Sequence, residues 1–495
     1  MAHKDLIKEG QGTPMNRRDF LKSAAFATCA FGLGFGTCTI TGCSKSWLKD
    51  PGKPNIIFIT ADDLGWKDLS CYGNLEIKTP NIDRISNEGV RFTNAFVVSP
   101  SCSPSRASFI TGQYPHTNGV TALTHRYKFK ALSPLYTTLP KILSDAGFNT
   151  AIERKWHVSP YLPTSWYGYN ERLTGILPKD WNSNDITPTL DFIRKNRDNR
   201  FYLEINYIQT HRDDYGEFHF DPDFPVDPEK VHVPDYWTLP NWPEIRLEVA
   251  KFYSQVMRMD AMIGEILDEL DRLGLTENTM VIFTSDNGPP FPGNKMILYD
   301  RGTGAPLLVR WPKRITSGQE VNALINSIDI MPTILDASGM KVPDSIQGKS
   351  FLSLATGERS GEIHEAIFTE MTYHVYYIPT RAVRTHKWKY IRNYSDIAVG
   401  LDQNSHMDWA NRLCELPDQP WKKPRVPEEL YNLEQDPDEQ INLVKDSHYR
   451  GVLESMRSLL DEHMQSTDDP FLGKEFTHDY DPELYKRHTP DERYK

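Results

Sequence analysis

The chain has 495 residues, a length that suits one large domain with a smaller companion. Hydrophobic residues at 39% and charged residues at 25% argue against a disordered chain and against a multi-span membrane protein. The formal net charge of −11 argues against a nucleic-acid binder acting through bulk charge, but a basic pocket for an anionic ligand needs only a few cations and stays open.

In chain order, Asn16-Arg17-Arg18-Asp19-Phe20-Leu21-Lys22 resembles a twin-arginine export signal. The weakly apolar stretch that follows is too short and too rich in glycine for a membrane span. Ile40-Thr41-Gly42-Cys43 resembles a bacterial lipoprotein cleavage box, with Cys43 as the lipidated first residue of the mature chain. The alternative is a plain cleaved signal with an incidental cysteine, and Met15 competes with Met1 as the start. The expectation is a bacterial protein exported to the periplasm or anchored there, with residues 1–43 as signal and 44–53 as a tether. Past the signal the cysteines, Cys71, Cys102 and Cys414, are widely spaced and form no C-x-x-C pair, so neither a disulfide scaffold nor a cysteine metal site is expected.

Asn55-Ile-Ile-Phe-Ile-Thr60 is a run of apolar and β-branched residues and predicts a buried strand. Thr79-Pro80-Asn81 opens a helix that runs to Glu88 and stops at Gly89. A second helix spans Thr138 to Ala146, with a short strand at Thr150–Ile152. Strands follow at Phe201–Tyr207, Thr279–Thr284 and Pro306–Trp311, and a long amphipathic helix runs from Leu247 to Leu273. Alternating strands and helices imply an α/β fold, a large mostly parallel sheet sandwiched by helices. Polar residues recur at the carboxyl ends of these strands, where open α/β sheets build their sites. From Ile367 onward short strands crowd together, at Ile367–Glu370, Arg381–Arg384, Trp388–Ile391 and Glu429–Tyr431, with a helix from Val452 to Met464. The expected organisation is a catalytic α/β domain over 54–366 and a smaller C-terminal subdomain, a short antiparallel sheet and a helix, over 367–495.

The motif richest in chemistry is Cys102-Ser103-Pro104-Ser105-Arg106 with Thr111-Gly112 behind it. A lone free thiol is ordinarily an inert hydrophobe. Asp62-Asp63 and Asp286-Asn287 stand at two strand ends and offer hard oxygen ligands of the kind calcium takes. Taken alone, an Asp pair after a strand is more often a helix cap. Lys155-Trp156-His157, Thr210-His211-Arg212 and Lys295 add cations at further strand ends, as stabilisation of a developing anionic transition state requires.

Together these segments resemble the formylglycine-dependent sulfatases of the alkaline phosphatase superfamily. The likeness runs from Asn55 to the Glu429–Pro437 and Asn442-Leu443 segments. It implies that Cys102 is oxidised by a separate maturation enzyme to formylglycine, whose hydrate offers one hydroxyl to attack sulfur and another to expel sulfate. It implies calcium among Asp62, Asp63, Asp286, Asn287 and residue 102. It further implies that Lys155 and Lys295 hold the sulfuryl group and that Arg106 braces residue 102. His211 would protonate the leaving atom, and His157 would take the proton when sulfate is released. The flanks of the K-W-H segment depart from the pattern: Arg154 stands where the family has Gly before K-W-H, and Val158-Ser159 stands where it has Leu-Gly.

Within the family the likeness is greatest to the heparan N-sulfatases, through Ser101–Ser108, His211-Arg212, Arg258-Met259-Asp260 and Asp286–Pro292. Lys295 departs from that branch, which has arginine there, and lysine and arginine are not equivalent anion ligands. The expected function is release of sulfate from a sulfated glycan, N-sulfoglucosamine first. An O-sulfatase on another polysaccharide is the main alternative. A phosphatase or phosphonate hydrolase and an inactive glycan-binding homologue rank lower, because Asn287 replaces the His that two-metal relatives use and no key residue is lost. The partners expected are a sulfated saccharide and the maturation enzyme, without nucleic acid; the oligomeric state is open, with a homodimer as one option.

Overall fold

The structure is a computed structural model that describes residues 53–124, 130–159, 162–175, 183–213, 216–374, 377–398, 407–416 and 423–476. The export signal, Cys43 and most of the tether therefore lie outside the described residues. Among the described residues no helix is long and apolar enough to cross a membrane.

The large sheet has eight strands in the order β4-β3-β5-β1-β6-β7-β2-β8. Its centre is β1 (Asn55–Ala61), flanked in parallel by β5 (Phe201–Tyr207) and β6 (Thr279–Ser285). Outward from β5 come β3 (Asn149–Arg154) and β4 (Glu171–Arg172), also parallel. On the other side, β7 (Leu307–Arg310) runs antiparallel to β6 and to β2 (Val90–Phe96), and β2 pairs in parallel with β8 (Gln319–Asn326). The expected mostly parallel sheet is present; β2 and β8 gave no clear sequence signal because half-exposed, polar-interrupted strands lack a continuous apolar run.

Both faces are covered. Ile57, Ile59 and Ala61 point to one core with the long helix Pro243–Arg272 and the helices Pro80–Asn87 and Thr187–Lys195. Ile56 and Phe58 point to the other, with the helices Cys102–Thr111, Leu139–Asp145 and Ile330–Ala337. Period-two alternation between two apolar faces explains why β1 reads as an unbroken hydrophobic run.

The small sheet is antiparallel throughout, in the order β12-β11-β10-β9, and begins with β9 (Ile367–Tyr373). Then come β10 (Tyr377–Arg384), β11 (Trp388–Asn393) and β12 (Glu428–Asn432). The helix Arg450–Ser466 packs on it through Leu453, Met456, Leu460 and Met464. Its β9 lies beside β8 of the large sheet, and Glu370 N donates at 2.7 Å to Val98 O, just past the end of β2.

Candidate active site

The carboxyl ends of β1, β3, β5 and β6 converge at the switch point of the large sheet, where chain connections diverge and leave a crevice. Asp62 and Asp63 follow β1, and Asp286 and Asn287 follow β6; all four are fully buried. Asp63 has a left-handed backbone, φ 67°, which for a non-glycine residue costs on the order of 1–3 kcal/mol. Its neighbours hold it there: Asp63 N donates to Asp286 Oδ1 at 3.1 Å and Leu64 N donates to Ser285 Oγ at 3.0 Å.

Two glycines fit the loop after β6 against the segment that carries Lys295. A Cβ on Gly288 would lie 2.2 Å from Arg301 O, and one on Gly302 would lie 2.3 Å from Asn294 O. The close approach lets Gly288 N donate to Gly302 O at 2.9 Å and brings Lys295 onto Asp63.

Cys102 opens the buried helix Cys102–Thr111 as its first residue, so its side chain faces the end where backbone N–H groups are unpaired. Its sulfur lies 3.5 Å from Asp62 Oδ1, 3.9 Å from Asp63 Oδ1, 3.9 Å from Asn287 Oδ1 and 3.4 Å from Lys295 Nζ. Lys295 Nζ donates to Asp63 Oδ2 at 2.8 Å, and Lys155 Nζ bonds Asp62. Arg106, one turn along the helix from Cys102, donates from Nε to Asp286 Oδ2 at 2.8 Å and places Nη2 3.5 Å from Asp62 Oδ1. Asn287 Nδ2 donates to Asp63 Oδ1 at 2.7 Å.

The histidines enter from β5 and β3. His211 keeps about a quarter of its side chain exposed, at 23%, and sets Nε2 3.7 Å from Asp63 Oδ2. Its Nδ1 bonds the carbonyl of Arg212. Thr210 steadies the same loop by donating from its hydroxyl to Asp62 O at 2.6 Å. His157 is buried, and its carbonyl accepts from Thr124 Oγ1 at 2.8 Å, while Thr124 N donates to Ser103 Oγ at 3.2 Å. That link joins the K-W-H segment to the start of the helix of Cys102.

Arg154 also has a left-handed backbone, φ 66°. This is the position where the sequence departs from glycine, and the geometry shows why glycine would suit it. The arginine is anchored by donating from Nη2 to Asp185 O at 3.3 Å and by lying 4.9 Å from the Tyr207 ring centre.

The electrostatics follow from burial and crowding. Burial opposes the charge of Asp62, but Lys155 first, then His211, Arg106 and Lys295, outweigh it and hold the carboxyl well below its usual range. Asp286 goes the other way: burial, only partly opposed by Arg106, pushes it up to about 7. Burial also pushes the Cys102 thiol up to about 12, against the pull of Lys155 and Lys295. Burial lowers His211, against the pull of Asp62 and Asp63. Ligand atoms of Asp62, Asp63, Cys102 and His211 lie within 4.8 Å of one another. The donors of Asp62, Asp63, Asp286 and Asn287 are all oxygens, and crowded carboxylates with one raised pKa are what a hard divalent cation would neutralise.

The structure thus brings Asp62, Asp63, Asp286, Asn287, Cys102, Arg106, Lys155, Lys295 and His211 into one cluster, and ties the His157 backbone carbonyl through Thr124 to Ser103, the neighbour of Cys102. The sequence reading gave no role to Ser285 or Thr124, and named Thr210 only as the neighbour of His211. Their roles run through backbone groups and buried contacts between distant segments, for which a single sequence carries no spacing signal.

Comparison with known proteins agrees with this geometry. The sulfatase family profile matches residues 54–340, and a profile described as N-sulphoglucosamine sulphohydrolase, C-terminal, matches residues 293–407. The chain is 31% identical to the N-sulphoglucosamine sulphohydrolase of Homo sapiens, over 84% of this chain and 91% of the human one. It is also 31% identical to an ulvan-active sulfatase of Formosa agariphila, over 82% of this chain and 78% of that one. Among solved structures, a protein in complex with its substrate D-glucosamine-2-N,6-O-disulfate superposes with a TM-score of 0.66 at 22% identity, covering 85% of this chain and 99% of that chain.

Proposed function

The chain belongs to the sulfatase family, and we propose that within it the protein removes sulfate from N-sulfoglucosamine units of a heparan-type glycan, using a formylglycine made from Cys102 and a calcium ion. The observation that carries the sulfatase chemistry is the placement of Cys102: at a helix start, its sulfur 3.4 Å from Lys295 Nζ and 3.5 Å from Asp62 Oδ1. A thiol pushed up to about 12 stays protonated at neutral pH and is a poor nucleophile as it stands, which supports conversion before use. Converted and hydrated, residue 102 would supply one hydroxyl to attack sulfur and a second to expel sulfate. Calcium held by Asp62, Asp63, Asp286 and Asn287 would supply positive charge to the sulfate oxygens and the nucleophile.

The chain's own residues do the rest. Lys155 and Lys295 turn their ammonium groups from the carboxylates toward the sulfuryl oxygens. Arg106 is held one turn from residue 102 by Asp286 and lends its outer nitrogens to the anion. His211, with Nε2 toward the cluster, donates a proton to the leaving atom, and His157 accepts one when sulfate departs. Such acid–base help is worth roughly 10²–10⁴ in rate.

The human relative and the C-terminal profile support the N-sulfated substrate. An O-sulfatase on a glycan ester is the second reading, favoured by Lys295 and by the equally similar ulvan-active sulfatase. Offering N-sulfoglucosamine and glucosamine 6-O-sulfate separately, and measuring free sulfate, decides between them. Turnover of the 6-O-sulfated sugar alone would eliminate the N-sulfatase reading and leave the family assignment intact. The reading also includes export through Asn16-Arg17-Arg18 and lipid attachment at Cys43; Cys43→Ala should then move the protein from the membrane fraction to the soluble one.

A further inference from the structure

We propose that Arg212 is a positioning residue for the His211 imidazole, and that Glu248 on the long helix holds it in that role. The inference rests on His211 acting as the acid for the leaving atom.

The His211 ring is oriented from behind. Its Nδ1 meets the carbonyl oxygen of Arg212, and a carbonyl can only accept, so Nδ1 carries a hydrogen whether the ring is neutral or cationic. The nitrogen left to pass a proton to a substrate is Nε2, which stands 3.7 Å from Asp63 Oδ2. Where that nitrogen points depends on where the Arg212 carbonyl sits, in a loop beyond the end of β5.

The Arg212 side chain fixes that loop. It is 3% exposed. Nη1 donates to Glu248 Oε2 at 2.5 Å and to Gly216 O at 3.1 Å, and Nε donates to Pro290 O at 3.3 Å. The guanidinium carbon lies 4.1 Å from the Phe218 ring centre and 5.2 Å from that of Phe291. One side chain therefore ties the His211 loop to the loop after Asp286-Asn287 and to the helix Pro243–Arg272. Glu248 is itself held, because Lys251 Nζ donates to its other oxygen at 3.0 Å. A planar fork with several fixed donors can bridge three segments at once, and a lysine ammonium cannot reproduce those directions. Removing the carboxylate would leave a buried guanidinium without its counter-charge, so the loop would relax toward water.

The consequence falls on proton delivery. A displacement of about 1 Å in a group that must meet the leaving atom can cost roughly 10²-fold in rate. The loss should appear where the leaving group needs a proton and vanish where it does not.

The test compares Glu248→Gln and Arg212→Lys with the unaltered, mature enzyme on two substrates, N-sulfoglucosamine and an activated aryl sulfate whose phenolate leaves unaided. The expected result is a fall in kcat of about 10- to 100-fold on the sugar, with KM and aryl sulfate turnover within about threefold. Glu248→Asp, which keeps the charge, should recover part of the lost kcat. In a His211→Ala background, Glu248→Gln should add nothing, because both changes remove the same function. Equal losses on both substrates, or a full additional loss in the His211→Ala background, would show that the pair merely stabilises the fold and would overturn the proposal. The acid reading fails separately: if His211→Ala itself slows both substrates alike, that reading falls and this inference falls with it. A selective His211→Ala beside an unselective Glu248→Gln overturns this inference alone.

Discussion

Two clusters of buried charge in this molecule follow opposite rules. Where β10 and β11 meet the segment after Lys295, Asp300 accepts from Arg384 Nε at 3.1 Å, from Arg384 Nη2 at 3.0 Å and from Lys389 at 2.8 Å. Lys389 also reaches Glu439 Oε1 at 2.9 Å, and the backbone N of Asp300 donates to the other oxygen of Glu439. Asp300 is held well below the usual carboxylate range, because Arg384 and Lys389 outweigh its burial, whereas burial and the nearby Asp300 push Glu439 up to about 7 against the pull of Lys389. At the ends of β1 and β6 the same ingredients are left open. Neither Nη atom of Arg106 has a hydrogen-bond partner among the described residues, and Cys102 stands at 3.5 to 3.9 Å from carboxylate and amide oxygens. A closed network fixes one geometry; an open one keeps donors and acceptors in reserve for a ligand.

The comparison can be broken at several points. The largest effect is expected at the nucleophile. Cys102→Ala should remove at least about 10⁴ of kcat while leaving the melting temperature close to that of the parent, because its sulfur holds no partner tightly. A variant with substantial turnover would sink the proposed chemistry. Mass spectrometry of the residue-102 peptide from active protein should show the aldehyde.

Next come the carboxylates. Asp286→Ala should cost about 10³ or more in kcat, and thorough chelation followed by calcium should abolish and then restore activity. Full turnover after chelation contradicts the metal assignment. His211→Ala should follow, with a loss of roughly 10²–10⁴ on N-sulfoglucosamine and a much smaller one on an aryl sulfate.

In the closed cluster the sign of the effect changes. Lys389→Met leaves Asp300 and Glu439 facing each other in the core, and removal of one partner from a buried pair costs about 3–5 kcal/mol. The readout is a lower denaturant midpoint with unchanged kcat per folded molecule. A lowered kcat at unchanged stability would mean that this cluster, too, serves the site.

The smallest effect concerns pH. Against β9 and β10 of the small sheet, the side chain of His116, on the short helix Pro115–Asn118, bonds Glu370 and faces Asp469, which Arg381 also holds. Burial lowers the His116 pKa, but Glu370 outweighs it and the net shift is upward. A group raised on folding stabilises fully below its unfolded value, near 6.5, and that contribution is lost as pH rises through the folded value. Wild type should therefore lose more stability between neutral and alkaline pH than His116→Gln, and parallel curves would show that the histidine carries no such role.

Much of this was legible in the sequence. The runs at Asn55–Thr60 and Phe201–Tyr207 were each readable as a strand, the first because residues buried on both faces of a sheet are apolar at consecutive positions; that the two pair in parallel was decided by the fold. Cys102–Arg106, Asp62-Asp63, Asp286-Asn287, Lys155, Lys295 and His211 were recognisable because each lies in a short local motif. The antiparallel β7 wedged between β6 and β2 was not legible, since strand direction depends on connections and partners rather than on composition. Nor were the left-handed backbones of Asp63 and Arg154, the Thr124 link from His157 to the helix of Cys102, or the Glu248–Arg212 pair behind His211. Local chemistry is written in neighbouring residues. Orientation arises from contacts between segments far apart in the chain, and only folding brings those together.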